Sequence, residues 1–120
     1  MTVQRLSQDI QKSNQHLTIE QIKQYLKKCQ IWHYEWGAII AHDNDMHIHV
    51  FEHYRKKVYL RKPLREVAFF MFARYDVIKT SVLKTKPDAL KFDLKIGWQL
   101  EKETPTAWHL TMKKEEFRDV

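Results

Sequence analysis

The sequence predicts an α/β protein with a mixed, mostly antiparallel sheet flanked by helices. Three observations lead to this fold class. Segments with helical spacing of apolar residues are followed by β-prone segments. A helical segment separates the β-prone ranges 46–51 and 77–83, which favours a right-handed parallel crossover between two strands. The remaining β-prone segments follow one another across short turns, as in antiparallel hairpins.

Length and composition predict one domain with a packed core. The chain has 120 residues, of which 43% are hydrophobic, so it can bury a core and is not expected to be disordered. We therefore expect a single domain over residues 1–120, with residues 1–16 as a flexible or helical arm. No apolar run approaches the length of about 18 residues needed to span a membrane, so no membrane association is expected.

The net charge and the cysteine content limit the classes of partner and the cell compartment that are expected. The net charge is +6, which favours an acidic partner such as nucleic acid, a phosphorylated cofactor or an acidic protein surface. A lysine-rich solvated face would give the same charge. Cys29 is the only cysteine, so an internal disulfide is excluded and a reducing, cytoplasmic setting is expected.

Two helices are expected in the first quarter of the chain. Val3, Leu6 and Ile10 recur at helical spacing. A second helix begins after Thr18, whose hydroxyl can cap it, and Gln21 stands at the capping-box position.

A β-hairpin is expected next, with strands at 36–41 and 46–51 around a turn at 43–45. His47 and His49 share one face of its second strand. Histidines at this spacing suit a metal ion, but a polar strand face also explains them. No metal is assigned.

The second half of the chain predicts a helix, a strand, a helix and a hairpin. Pro63 suits the first turn of the first helix, and Gly97 can terminate the second in a left-handed conformation. The strand lies at 77–83, and the closing hairpin pairs 98–103 with 107–112. The first helix is expected to bury one apolar face: Leu64, Val67, Ala68, Met71 and Phe72. The second helix has Leu90, Leu94 and Ile96 among its apolar positions.

Three motifs in this order carry a family resemblance. They are Tyr54-Arg55-Lys56-Lys57, Leu64-Arg65-Glu66-Val67, and the segment 88–98 that ends in Lys95-Ile96-Gly97-Trp98. With the order of elements, they make residues 34–117 resemble the GNAT superfamily of acyl-CoA-dependent N-acetyltransferases. The resemblance is greatest to the short GNAT-like proteins of phages and prophages.

The resemblance implies acetyl-CoA, or another acyl-CoA, as cofactor. In that superfamily the cofactor enters where two parallel strands splay apart and lays its pantetheine arm along the first of them. Its pyrophosphate sits on the loop and helix that follow. The implied backbone contacts are Val50, Phe51 and Glu52. The implied pyrophosphate contacts are Arg55, Lys56, Lys57, Arg61 and Lys62.

The chain departs from the family pattern at several positions. Val58 and Leu60 stand near places where the family loop has small residues. Asp93 replaces a tyrosine that often acts as general acid four residues before the glycine. The first strand of the full fold is not recognised.

Acyl transfer to an amine needs a base for the amine and a proton donor for the leaving thiolate. Glu52 or His53 is the predicted base, and Tyr54 or Tyr59 the predicted donor. Glu35 and His49 also lie near this end of the hairpin. These glutamates and histidines are also explained as polar residues on an exposed rim.

Three functions therefore remain open. The first is an acyl-CoA N-acyltransferase with an amine substrate. The second is a non-catalytic phage protein for virion assembly or DNA delivery, found in the host cytoplasm or the virion. The third is a nucleic-acid-binding module that uses the basic segment 55–62. A homodimer is a further expectation, because Phe69, Phe70 and Phe72 cover more than one helix face.

Overall fold

The computed structural model describes residues 3–54 and 60–117. The helices are α1 Val3–Ser13, α2 Ile19–Leu26, α3 Arg61–Phe72 and α4 Pro87–Lys95. The strands are β1 Gln30–Tyr34, β2 Gly37–His42, β3 Asp45–Val50, β4 Val77–Leu83, β5 Gln99–Glu103 and β6 Ala107–Lys113. Single 3₁₀ turns follow β3 and β6, at Glu52–Tyr54 and Lys114–Glu116.

These strands form a mixed sheet in the order β1-β2-β3-β4-β6-β5, which confirms the predicted α/β class. The pairs β1–β2, β4–β6 and β5–β6 are antiparallel, whereas β3 and β4 are parallel where Asp45 pairs with Lys79. Helix α3 therefore connects two parallel strands, as predicted. In the described part of the chain, none of the helices has the length and hydropathy needed to span a membrane.

The described residues fall into two compact units. The first unit runs to Asp43 and includes residues 47–54, and the second holds Asn44–Met46 and residues 60–117. The first unit has α1 and α2 against a shared core. Its buried cluster consists of Leu6, Ile22, Leu26, Ala38, Ile40 and Phe51. Leu6 is fully buried, so α1 is a packed helix of this unit.

The capping box of α2 is present as predicted. The Thr18 hydroxyl accepts the Gln21 N–H at 3.1 Å, and the Gln21 side chain accepts the Thr18 N–H at 2.8 Å. Each bond satisfies a backbone donor that the first helical turn would otherwise leave unpaired.

Strand β1 was not predicted. It pairs antiparallel with β2 from Gln30↔Ala41 to Tyr34↔Gly37, so that Glu35 and Trp36 form a two-residue turn. Its residues are half-buried or exposed without a strict alternation, which explains why a period-two pattern did not reveal it. The predicted hairpin of β2 and β3 is present, and Asp43 has a positive φ of 51° at its turn.

Gly37 is required at the start of β2. Its φ is +153°, and a Cβ there would lie 1.9 Å from the carbonyl oxygen of His49. Because that neighbour is backbone, only a residue without a side chain allows the two strands to approach.

In the second unit, α3 buries the five residues that its sequence predicted. Phe72 is buried, whereas Phe69 is 56% exposed and Phe70 is 37% exposed. The aromatic residues therefore do lie on more than one face of the helix.

Helix α4 ends at a glycine, as predicted. Gly97 has a φ of +116°. The Trp98 N–H donates to the Asp93 carbonyl at 3.1 Å, and the Gly97 N–H donates to the Leu94 carbonyl at 3.4 Å. These two bonds form a Schellman motif. Contrary to the apolar pattern, Leu94 is 45% exposed while Asp93 is buried. Helix α4 is therefore rotated so that Asp93, and not Leu94, faces the core.

Candidate active site

The predicted catalytic residues Glu52, His53 and Tyr54 form the 3₁₀ turn directly after β3. Two backbone bonds fix this turn. The N–H of Phe51 donates to the Trp36 carbonyl at 2.8 Å, and the N–H of Tyr54 donates to the Phe51 carbonyl at 2.8 Å. The segment is thereby held beside the β1–β2 turn, and both polar backbone groups of Phe51 have partners inside the chain.

Tyr54 has a carboxylate partner. Its phenol donates to Oε1 of Glu35 at 3.0 Å. This hydrogen bond raises the pKa of Tyr54 above its ordinary value. The phenol therefore keeps its proton at neutral pH and has a defined orientation. Glu35 had no role assigned from the sequence, because its place in a turn depends on the unrecognised strand β1.

Aromatic residues and a second carboxylate adjoin this pair in the sequence. The rings of Tyr34 and Trp36 are stacked, with centroids 4.7 Å apart and planes 9° from parallel. The rings of His53 and Tyr54 are nearly perpendicular, with centroids 5.3 Å apart. Glu35 and Glu52 are exposed. Carboxylates and aromatic faces each suit a cation better than an anion.

His49 bonds to the first helix. Its Nε2 lies 2.6 Å from Oδ2 of Asp9, and both side chains are mostly buried. Burial acts to raise the pKa of Asp9, but the hydrogen bond and charge of His49 and the nearby Lys12 outweigh it, so the pKa is lowered. Among the described residues, no three His, Cys, Asp or Glu side chains are grouped closely enough to hold a metal ion.

In the second unit, two predicted pyrophosphate contacts lie at the start of α3. Arg61 is the first helical residue and Lys62 is exposed. No side chain caps this helix. The Leu64 N–H donates to the Leu60 carbonyl, and Pro63 has no N–H to donate. The amides of residues 61 and 62 therefore have no partner within the helix and face outward from its first turn. The other predicted contacts, Arg55, Lys56 and Lys57, lie outside the described residues, as do Val58 and Tyr59.

A small cleft lies along α3 in the second unit. It is lined by Arg61 and Arg65 and by apolar residues that include Met46, Leu64 and Trp98. Its volume is about 30 Å³, which suits one or two waters. Drug-sized ligands occupy about 300–1,000 Å³, so this cleft is not a cofactor pocket in its present form.

Asp93 is a buried carboxyl on α4, 9% exposed. No side chain in residues 3–54 and 60–117 donates a hydrogen bond to it. Burial raises the pKa of Asp93 to about 7. From the sequence, Asp93 stands out only as a departure from the family tyrosine, since an aspartate on a helix that also carries Lys91 and Lys95 gives no signal of burial.

Comparison with known proteins identifies the fold. No protein-family model matches the chain, and no curated protein sequence matches it. Among solved structures, it is similar to a spermidine N-acetyltransferase, a chimera of SpeG from Vibrio cholerae and hSSAT. The TM-score is 0.72 over 94% of this chain and 91% of that chain, with 8% sequence identity. The chain therefore has the fold of the GNAT acetyltransferases, as the resemblance predicted.

Proposed function

We propose that this protein transfers an acyl group, usually acetyl, from acyl-CoA to an amine. The observation that supports this most is the structural likeness to an N-acetyltransferase over 94% of the chain. Fold alone does not determine function, so the proposal also relies on the chemistry of the two groups of residues described above.

The residues at the start of α3 fit the anionic part of such a cofactor. Arg61 and Lys62 supply positive charge, and the amides of residues 61 and 62, which have no partner within the helix, can donate hydrogen bonds to phosphate oxygens. Acyl-CoA, when bound, supplies the acyl group as an activated thioester.

The residues after β3 fit the proton transfers. Glu52 is exposed and can accept the proton that an ammonium group must lose before it becomes a nucleophile. Tyr54 holds a proton at Oη that it can give to a departing thiolate. Glu35 acts as a positioning residue, because its hydrogen bond orients the phenol.

The acceptor that we propose is a cationic amine, with polyamines as the leading class. The structural neighbour is named as a spermidine acetyltransferase. In this chain, the exposed carboxylates of Glu35 and Glu52 and the stacked rings of Tyr34 and Trp36 provide the charge and the π faces that bind ammonium groups.

The proposal is tested by incubating the protein with acetyl-CoA and a panel of amines while following thiol release. The panel contains spermidine, a lysine peptide and a neutral amine. Transfer to spermidine with a loss in Tyr54→Phe, but not in the matched control Tyr75→Phe, is the expected result. No thiol release with any amine would oppose it and favour the non-catalytic alternative, a phage assembly or DNA-delivery protein.

A further inference from the structure

Helix α1 contacts the segment that carries the candidate proton donor. The guanidinium carbon of Arg5 lies 4.6 Å from the centroid of the Phe51 ring, which is a cation–π contact. Phe51 directly follows β3, is 4% exposed and belongs to the buried cluster of the first unit. The charged end of Arg5 is therefore held at the end of β3.

A second contact, one helical turn away, attaches the same helix to β3. Arg5 and Asp9 are four residues apart, and side chains with this spacing share one face of a helix. Oδ2 of Asp9 lies 2.6 Å from Nε2 of His49. The rings of His49 and Phe51 are 76° from parallel, with centroids 6.0 Å apart. The two contacts together fix the position of Arg5 relative to the end of the strand.

Arg5 also acts on Tyr54. The Tyr54 N–H donates to the Phe51 carbonyl at 2.8 Å, and Tyr54 packs against the cluster that contains Phe51. The hydrogen bond to Glu35 raises the pKa of the Tyr54 phenol, whereas the positive charge of Arg5 acts in the opposite direction. Helix α1 and the β1–β2 turn therefore exert opposing effects on one phenol group.

The hydrogen bond to Glu35 orients the phenol but opposes its ionisation. When Tyr54 gives its proton to the departing thiolate, the O–H bond breaks, an S–H bond forms, and the negative charge passes from sulfur to Oη. The phenolate then faces the Glu35 carboxylate, and two negative charges at hydrogen-bond distance repel each other. The phenolate regains a proton from solvent, which receives the proton that the amine loses. A nearby cation offsets the repulsion until then.

We propose that Arg5 is a positioning residue of the candidate active site and stabilises the phenolate that Tyr54 becomes during acyl transfer. This proposal rests on the acyltransferase function proposed above. It gives α1 a part in the reaction, because the helix holds a cation against Phe51 while Glu35 sets the direction of the phenol. Arg5 and Glu35 are both exposed, so the balance between them depends on ionic strength.

The test combines an NMR titration of ring-labelled tyrosine with the thiol-release assay. Arg5→Gln removes the charge, and Arg5→Lys keeps it. The matched control is Arg74→Gln, because the guanidinium carbon of Arg74 lies 4.3 Å from the centroid of the Phe70 ring and makes the same kind of contact elsewhere. Circular dichroism checks that all three variants are folded.

The expected result for Arg5→Gln is a higher Tyr54 pKa and a kcat roughly tenfold lower, which is a part of the roughly 100-fold that a general acid contributes. KM stays close to that of the parent protein, because the charge acts on the state that forms after binding. Arg5→Lys restores most of both properties, and Arg74→Gln changes neither. Added salt narrows the difference between the parent protein and Arg5→Gln.

Three outcomes overturn the proposal. An unchanged Tyr54 titration in Arg5→Gln shows that the guanidinium does not act on the phenol. An active parent protein whose kcat is unaffected by Arg5→Gln shows that the charge has no part in the reaction. If the parent protein releases no thiol with any amine, the proposed function fails and the catalytic part of Arg5 fails with it. A raised Tyr54 pKa in Arg5→Gln then still shows that the contact forms in solution, which distinguishes the two failures.

Discussion

The phenol of Tyr54 donates a 3.0 Å hydrogen bond to Glu35, and this bond joins two segments 19 residues apart in the chain. One is the β1–β2 turn, and the other is the 3₁₀ turn after β3. The backbone bond from Phe51 to Trp36 holds the same two segments together. A proton donor with a fixed direction therefore lies at the end of the strand that, by family resemblance, runs along the cofactor.

Replacing Glu35 by Gln should lower the pKa of Tyr54, since the carboxylate hydrogen bond is the main cause of its rise. The measurement is an NMR titration of ring-labelled tyrosine, in which Tyr54→Phe identifies the signal. Under the proposed function, Tyr54→Phe also lowers kcat about 100-fold, with little change in KM. An unchanged Tyr54 titration in Glu35→Gln would show that the bond is not formed in solution.

The Asp9–His49 pair should stabilise the protein at neutral pH. We expect Asp9→Asn to cost about 1–3 kcal/mol, the usual range for a mostly buried hydrogen bond to a charged group. Because the folded-state pKa of Asp9 is lowered, this stability is present above the unfolded pKa and is lost as pH falls through the folded one.

Urea unfolding at pH 7 and at acidic pH measures this difference. Asp43→Asn is the control, since the Asp43 side chain is 81% exposed in a turn. A cost for Asp9→Asn that is the same at both pH values would contradict the account.

Asp93 should make stability fall as pH rises. Its folded-state pKa is about 7 instead of 3.8, so the folded protein binds a proton that the unfolded chain has already released. The stability from this proton is complete below the unfolded pKa and lost as pH rises through 7, a difference on the order of 4 kcal/mol. Asp93→Asn should flatten the pH dependence of urea unfolding between pH 4 and 8. Parallel curves for the two proteins would refute this.

The two glycines should respond very differently to alanine. Gly37→Ala places a Cβ 1.9 Å from a backbone oxygen, so a cost of more than about 4 kcal/mol, or failure to fold, is expected. Gly97→Ala meets only the flexible end of Met112 at 3.7 Å and should cost about 1–2 kcal/mol for its positive φ. Thermal unfolding of both variants checks the order, and equal losses would be inconsistent with the strand packing described.

The parts of the fold that sequence reasoning predicted are those where local pattern and packing agree. The buried face of α3 was predicted residue by residue because five apolar side chains recur at helical spacing. The caps at Thr18 and Gly97 were predicted because capping depends on the local side chain and backbone.

The parts that it missed depend on tertiary context. Strand β1 is defined by its pairing with β2, and its own residues show no strict alternation. The burial of Asp93 and the exposure of Leu94 follow from how α4 packs, against the apolar pattern of the helix. The partners Asp9–His49 and Glu35–Tyr54 are 40 and 19 residues apart, a distance over which one sequence carries no pairing signal.

Calorimetric titration with acetyl-CoA tests the proposed function most directly. The account predicts saturable one-site binding that weakens at least about tenfold in Arg61→Glu, Lys62→Glu, equivalent to about 1.4 kcal/mol. The control Lys91→Glu, Lys95→Glu on α4 should bind like the parent protein. If millimolar acetyl-CoA produces no heat of binding and no shift in the unfolding temperature, the proposal that this protein has an acyl-CoA-dependent activity is contradicted.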